Sequence, residues 1–250
     1  MIDELAMHRR DAVAVLTIKR PDRRNSLSDA LVAKMRQALA RLDGDSDVGA
    51  IVLTGHAPGF CAGSDLKELG TMSLDEMCAH EARTATACRE ISMLRKPVVA
   101  AVEGFALGGG FVLAASCDVV VTARSTRWNL PEVAIGWIPP WGIEALVDRV
   151  GRSRARQLVW GGSPFQGEEA LRLGLADHVV ADGLALERAI EVANGYAVLP
   201  QEAVAATKLY FATHGTHDAE SGDLLASHMF KDNCRHATAQ ATLKKFGVQV

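Results

Sequence analysis

Three segments of the chain combine glycines with residues that can exchange a proton or hold an anion. They span residues 60–67, 103–114 and 128–140. In the second segment, residues 108–110 are consecutive glycines that separate two apolar runs. Glycine lets a backbone approach a ligand closely, and free N–H groups at the start of a helix attract negative charge. The glycines could therefore hold a developing oxyanion, and the alternative is a tight strand-to-helix crossing without a ligand.

Glu132 is the acidic residue of the third segment. It lies between Pro131 and a run of apolar residues. Desolvation in such surroundings shifts the acidity of a carboxyl group, which can then act as a general acid or base. The alternative is a glutamate in the first turn of a helix, where the helix dipole stabilises its charge. Residue type and spacing leave both interpretations open.

Alternating strands and helices must position these segments. Apolar, β-branched runs predict buried strands over residues 13–18, 50–54, 98–102 and 119–121. A cap at Ser28 and a capping box at Ser73 predict the starts of two helices. This order indicates an α/β core with parallel strands. After about Trp141 no strand is predicted, and helices are predicted over residues 144–150, 154–160, 167–173, 184–196, 200–213, 219–230 and 235–246.

Composition narrows the class of protein. The chain has 250 residues, 48% of them apolar, which suits one large domain or one domain with an appendage. A net charge of −3 gives no electrostatic footprint for nucleic acid. The five cysteines lack CxxC spacing, which argues against a disulfide framework or zinc site and fits a reducing cytoplasm. The charged N-terminus lacks the apolar run of a signal peptide, and the longest apolar stretches are shorter than the ~20 residues that a bilayer crossing needs.

Together, the three segments resemble in order and spacing those of the crotonase superfamily, the enoyl-CoA hydratase/isomerase family of acyl-coenzyme A enzymes. The resemblance extends from about residue 10 to residue 195. It implies a crotonase-like (ClpP/crotonase) α/β spiral of ββα units over residues 1–195. It also implies a helical C-terminal region, residues 196–250, that mediates assembly into a homotrimer or hexamer. The implied substrate is an acyl-CoA thioester, with neither a separate cofactor nor a metal, and no nucleic-acid or membrane partner is expected.

The resemblance also implies roles for individual residues. The backbone N–H groups of Ser64 and Gly109 would hold the thioester oxygen and stabilise an enolate. Glu132 would then move a proton on the acyl chain. Arg23 and Lys67 are candidates for the phosphates of coenzyme A, or ordinary solvated surface residues. Further substrate-binding positions are Ala62, Asp65, Gly108, Val112, Trp137 and Pro140.

The sequence departs from the hydratases of that family at two points. Hydratases use two glutamates 20 residues apart, and the first of them is replaced here by Val112 (132 − 112 = 20). Pro140 stands where a glycine is usual near the catalytic water, and proline has no N–H to donate. A single glutamate resembles the Δ3,Δ2-enoyl-CoA isomerases and the hydroxycinnamoyl-CoA hydratase-lyases. Decarboxylases, hydrolases and a non-catalytic acyl-CoA-binding protein remain alternatives.

Several other polar residues are weaker candidates. Asp65 and Glu68 could supply a second acid, but they are interpreted as loop and helix-start residues. Glu144 would reach the site if its helix turned inward. Tyr210 could contact the acyl group of its own or a neighbouring subunit, or pack between helices. The HxxHD cluster at residues 214–218 is interpreted as a loop and helix cap rather than a metal site.

Two bulky tryptophans are expected near the acyl pocket. Trp137 and Trp141 flank the Pro139-Pro140 pair. They could shape the pocket or simply pack in the core. Trp128 is interpreted as a core residue.

Overall fold

The computed structural model describes residues 4–161 and 163–247, apart from the side chains of residues 213–218. The strands are β1 (Leu5–Arg10), β2 (Val13–Ile18), β3 (Ala50–Gly55), β4 (Val98–Val102), β5 (Phe105–Leu107), β6 (Val119–Ala123), β7 (Arg127–Asn129) and β8 (His178–Val180). The helices are α1 (Asp29–Gly44), α2 (Leu66–Leu69), α3 (Leu74–Met93), α4 (Gly109–Ala115), α5 (Ile143–Gly161), α6 (Gly167–Leu173), α7 (Ala185–Ala197), α8 (Gln201–Asn233) and α9 (Ala237–Phe246).

The main sheet has six strands in the order β1-β2-β3-β4-β6-β8. β1 is antiparallel to β2, and all the other neighbouring strands are parallel. β5 and β7 form a separate parallel pair. Because β2, β3 and β4 are covered on both faces, their sequences are continuous apolar runs rather than alternating ones. The predicted α/β core with parallel strands is confirmed.

Helices cover both faces of the main sheet. One face packs in a core that includes Leu31 and Met35 of α1 and Ile91 of α3. The other face packs against α7, which presents Ala189 and Ala193 and so lies close to the strands. The sheet is therefore a rigid support for the loops that leave its strands.

The prediction that no strand follows Trp141 is wrong. β8 has only three half-buried residues, and it extends the sheet by pairing with β6, His178 opposite Val121. Three residues are too short to show a periodicity, so only the neighbouring strand reveals this one. The two helices predicted over 200–213 and 219–230 are also one continuous helix, α8. A break at Gly151, with φ of 76°, separates the two predicted segments of α5.

The C-terminal helices pack back onto the core. α8 contacts α3 and α5, and α9 contacts α2. Phe230 of α8 meets the ring of Trp137 edge-on at 5.6 Å, and Leu243 of α9 joins the same apolar cluster. Asp223 of α8 accepts a hydrogen bond from the Gly142 N–H at 2.8 Å. None of the helices in the described part of the chain combines the length and apolarity that a bilayer crossing requires.

Candidate active site

The loop after β3 and the glycine turn before α4 are brought together by backbone pairing. The Leu107 N–H donates to the Cys61 carbonyl oxygen at 3.0 Å, which places the loop alongside β5. Gly63 has φ of +88°, and a Cβ at this position would lie 3.0 Å from the Gly109 nitrogen. Glycine is therefore required for the approach. The result is that Ser64 and Gly109 lie on adjacent backbone segments and line one cleft.

The N–H groups of Ser64 and Gly109 are free to donate to a ligand. The neighbours of Ser64 pair with Leu27, since the Leu27 N–H donates to Gly63 O at 2.8 Å and the Asp65 N–H donates to Leu27 O at 2.9 Å. The N–H of Ser64 therefore points away from Leu27. Gly109 is the first residue of α4, where no preceding turn accepts its N–H. Within the described residues, neither N–H donates a hydrogen bond.

Glu132 is positioned over the glycine turn by the β5–β7 pair. The Gly108 N–H donates to the Asn129 carbonyl at 2.9 Å, and the chain then turns through a 3₁₀ segment, Val133–Ile135. A Cβ on Gly108 would lie 2.9 Å from Glu132 Oε1, and the φ of Gly108 is +52°. Position 108 must therefore be glycine for two reasons, backbone conformation and space.

The carboxyl group of Glu132 is buried and incompletely satisfied. The residue is 9% exposed, and its Oε2 has no hydrogen-bond partner among the described residues. Burial raises its pKa from 4.5 to about 7, and the nearby charge of Glu81 adds to the shift. Such a group can both accept and release a proton near neutral pH. This geometry supports the general acid or base interpretation over the helix-start one.

The cleft has a volume of about 440 Å³ and is lined by every residue to which the resemblance assigns a role at the site. These residues are Arg23, Ala62, Ser64, Asp65, Lys67, Gly108, Gly109, Val112, Glu132, Trp137 and Pro140. Arg23 and Lys67 are exposed, as is Arg24, which lies 4.6 Å over the ring of Phe105. Three cationic side chains at the solvent-exposed part of the cleft fit an anionic, phosphate-bearing ligand.

Asp65 is buried, and hydrogen bonds within the protein hold both oxygens of its carboxylate. Its Oδ2 accepts from Arg20 Nη2 at 2.9 Å, and its Oδ1 accepts from the Lys67 N–H at 3.1 Å as the N-cap of α2. Glu68 lies in the first turn of the same helix. The interpretation of both as loop and helix-start residues agrees with these contacts. Neither is placed as a second acid.

The remaining candidates lie away from the cleft. Glu144 borders a separate cavity of about 870 Å³, so the expectation that it could turn into the site is wrong. Tyr210 is exposed on α8, against the ring of Phe211. Trp128 is fully buried, and its Nε1 donates to Thr122 Oγ1 at 3.2 Å, as a core residue should. The side chains of residues 214–218 lie outside the described part of the structure.

Apolar side chains fill the wall of the cleft around the missing acid. Val112 is 3% exposed and packs against Gly142, where a Cβ would lie only 1.9 Å from Val112 Cγ1. Trp141 packs its ring against Gly109 and borders both the cleft and the larger cavity. Pro140, beside it, has no N–H to offer a water molecule. Val112 and Pro140 themselves therefore offer neither an acid nor an N–H donor to activate water.

Sequence reasoning missed one acid of the cleft, Glu81 of α3. Its Oε1 accepts from Ser64 Oγ at 2.8 Å and its Oε2 accepts from Trp141 Nε1 at 2.7 Å. A signal was present, because Glu81 falls on the buried stripe of α3 between Met77 and Cys88. A carboxylate at such a position needs partners.

The raised pKa of Glu132 makes a prediction about stability. Between pH 4.5 and 7 the folded protein binds more protons at this residue than the unfolded chain does, so its contribution to stability falls as pH rises. The Glu132→Gln variant lacks this loss. We expect its stability relative to wild type to increase from pH 5 to pH 8, by up to about 3 kcal/mol. Urea unfolding at pH 5 and pH 8 measures this change, with Glu144→Gln as the control. A stability difference between Glu132→Gln and wild type that did not vary with pH would contradict the titration of Glu132 in this range.

Comparison with known proteins agrees with this geometry. Residues 8–248 match the family model described as enoyl-CoA hydratase/isomerase. A probable mitochondrial enoyl-CoA hydratase of Dictyostelium discoideum is 32% identical over 231 residues, covering 84% of this chain and 83% of that protein. A short-chain-enoyl-CoA hydratase of Clostridium acetobutylicum is 35% identical over 195 residues, covering 77% and 75%.

Solved structures extend the similarity to the whole chain. An enoyl-CoA hydratase/isomerase from Mycobacterium paratuberculosis superposes with a TM-score of 0.86 at 28% identity, covering 97% of this chain and 98% of that one. An enoyl-CoA hydratase from Mycobacterium tuberculosis gives 0.78 at 32% identity, covering 94% and 100%. This chain is therefore an enzyme of the enoyl-CoA hydratase/isomerase family, within the crotonase superfamily.

Proposed function

We propose that the protein moves a proton along the acyl chain of an enoyl-CoA thioester, with Glu132 as the single proton carrier. The observation that carries the proposal is the buried carboxyl group of Glu132, whose Oε2 is unpartnered in the described structure and which lies over the glycine turn. The reaction best suited to one carrier is the interconversion of 3-enoyl and 2-enoyl thioesters. No second acid is needed for it.

The mechanism follows from the two free N–H groups and one carboxylate. Ser64 and Gly109 donate to the thioester oxygen, which stabilises the negative charge that develops there. Ionised Glu132 removes a proton from the α-carbon of a 3-enoyl thioester, and the electrons move onto the oxygen as a dienolate. Protonated Glu132 then returns the proton to the γ-carbon, and the double bond comes to lie between the α and β carbons. A pKa of about 7 suits both halves of this cycle.

Hydration, or hydration coupled to carbon–carbon cleavage, is the second candidate. The relatives are named as hydratases, including a 2,3-dehydroadipyl-CoA hydratase of Escherichia coli that is 35% identical over 194 residues. Against it stand Val112 and Pro140, which supply neither an acid nor an N–H donor at their positions in the cleft. Hydration would need Glu132 to activate water alone, or with help from Glu81.

Mass analysis in heavy water separates the candidates. Purified protein is incubated with matched 2-enoyl-CoA and 3-enoyl-CoA thioesters in D₂O. We expect the two to interconvert with deuterium uptake and no gain of water. A product heavier by one water would support hydration instead. If neither thioester changed, both candidate reactions would be contradicted. A decarboxylase, a hydrolase or a non-catalytic acyl-CoA-binding protein would then be favoured.

Coenzyme A is proposed to enter as part of the substrate, without a separate cofactor or metal. Arg23 and Lys67 would bind its phosphates, and the walls around Ala62, Trp137 and Pro140 would contact the pantetheine and acyl parts. The exposed positions of both cations support this placement. A cytoplasmic location stays a prediction.

Assembly into a homotrimer or hexamer is proposed from the surface of the C-terminal region. Large apolar residues are exposed along α8, namely Leu209, Tyr210, Phe211, Leu224, Leu225 and Met229. Exposed large apolar side chains concentrated on one helix indicate a protein contact. Residues 196–250 would supply that contact while also covering the cleft. Light scattering on the purified protein tests the proposal, and a monomer at micromolar concentration would contradict it.

A further inference from the structure

We propose that Glu81 is a positioning residue of the active site. Its ionised carboxylate accepts hydrogen bonds from Ser64 and Trp141, and it thereby holds the two oxyanion donors in their relative positions. The proposal rests on the proposed function, since it assigns the N–H groups of Ser64 and Gly109 to the thioester oxygen. It adds a second carboxylate to the site, with a role that differs from the one that Glu132 has.

The contacts of Glu81 are unusual for a buried acid. The residue is 6% exposed, yet no lysine or arginine pairs with it in the described part of the chain. A buried carboxylate without a cation is costly unless its oxygens accept strong hydrogen bonds. Here both oxygens accept, one from the Ser64 hydroxyl and one from the Trp141 indole. Two donors facing one carboxyl group fit its ionised form.

These two partners flank the oxyanion donors. Ser64 carries one of the donor N–H groups on its own backbone, so a bond to its hydroxyl restrains that N–H. Trp141 packs against the second donor, because a Cβ on Gly109 would lie 3.0 Å from its ring. One carboxylate on α3 therefore braces both sides of the site. Displacement of either donor by about 1 Å can cost about 100-fold in rate.

The charge of Glu81 has a separate consequence for Glu132. A negative charge nearby disfavours ionisation of a carboxyl group, and it acts here in the same direction as burial. The other charged groups of the cleft are the exposed Asp22, Arg23, Arg24 and Lys67, together with Asp65, which is paired with Arg20. Removal of the Glu81 charge should lower the pKa of Glu132.

Two substitutions separate the bracing effect from the charge. In Glu81→Gln, the amide oxygen can accept from Trp141 while the amide nitrogen donates to the Ser64 hydroxyl, so the geometry is kept and the charge is lost. In Glu81→Ala, both bonds are lost. Glu90→Gln is the matched control, since it removes an acid from the same helix at a residue that pairs with Arg36 outside the cleft.

The first readout is the pH profile of kcat/KM for 3-enoyl-CoA. With Glu132 acting as base, Glu81→Gln should move the acidic limb to lower pH by about half a unit or more, with kcat near wild type. Glu81→Ala should lower kcat roughly 10- to 100-fold. Glu90→Gln should change neither. A purely structural role for Glu81 would alter thermal stability without moving the pH profile.

The second readout does not depend on turnover. Butyryl-CoA labelled with carbon-13 at its carbonyl reports hydrogen bonding to the thioester oxygen through its infrared stretching frequency. We expect a shift to lower frequency in wild type and Glu81→Gln, and a return toward the free value in Glu81→Ala. If Glu81→Ala fails to fold, Ser64→Ala replaces it, because that variant removes one bond and keeps the backbone N–H.

The outcomes distinguish the two proposals. Wild-type frequency and wild-type kcat in both Glu81→Ala and Ser64→Ala would overturn the positioning role and leave the proposed reaction intact. A frequency shift that is lost in Glu81→Ala, in a protein that converts neither enoyl thioester, would uphold the positioning role and overturn the proposed reaction.

Discussion

Replacement of Glu132 by glutamine is expected to lower kcat by a factor of about 10²–10⁴, the usual contribution of a positioned acid or base. Glutamine keeps the size and the neutral form of the side chain, but it can neither accept nor release the proton. Because the neutral glutamic acid is already present at pH 7, the substitution should not disturb packing. Binding of butyryl-CoA should therefore stay within a few-fold of wild type.

The measurement compares kcat and the butyryl-CoA dissociation constant in the same preparations. Glu144→Gln is a matched control, since this glutamate borders the separate cavity rather than the cleft. It should retain full activity. If Glu132→Gln retained more than about a tenth of wild-type kcat, well above the remainder expected after loss of a general base, the proton carrier would have to be another group. Glu81 would then be the next residue to replace.

The parts of the site that could be predicted from the sequence are those that rest on local backbone requirements. Gly63 and Gly108 have positive φ, and any side chain at Gly108 would collide with Glu132. Such requirements restrict residue type at fixed spacing, and they are visible as a motif. The same holds for the apolar strands, because full burial on both faces leaves a continuous run of apolar residues.

The parts that could not be predicted depend on residues distant in sequence. Glu81 is recognisable as an active-site residue only through Ser64 and Trp141, which lie 17 and 60 residues away along the chain. Similarly, β8 is a strand because β6 presents an open edge to it, and not because its three residues favour that conformation. Hydrogen bonds between distant segments leave no local pattern to detect.

The absence of an acid at Val112 has a structural counterpart that the sequence alone did not reveal. Val112 packs against Gly142, and Trp141 fills the neighbouring space. An acid at position 112 would have to displace this packing against Gly142. Restoring the acid by Val112→Glu alone would therefore introduce a buried carboxylate without partners. This packing is compatible with the proposed reaction, which uses one proton carrier.

Removal of the Gly109 N–H should have the other large effect. Gly109 is the first residue of α4, a position where proline fits the helix because the N–H is not used within it. Loss of one oxyanion donor typically lowers kcat by about 10²–10³. We expect Gly109→Pro to show a loss of this size, together with a carbonyl frequency of bound butyryl-CoA closer to that of the free thioester.

Gly109→Ala is the matched control, because both variants add a Cβ that lies about 3.0 Å from the ring of Trp141 while alanine keeps the N–H. Any cost of crowding Trp141 is therefore common to the two variants. The ratio of their kcat values measures the loss of the N–H donor together with the effect of the proline methylene that replaces the amide hydrogen. The infrared spectrum of bound butyryl-CoA separates these two effects, because a site blocked by the methylene would bind no butyryl-CoA at all. Equal kcat in the two variants would contradict a role for this N–H and leave Ser64 as the remaining proposed donor. If kcat differed tenfold or more between the two variants while both still bound the thioester, the developing negative charge would lie at the glycine turn. Glu132 lies next to this turn, because Gly108 has no side chain to displace it.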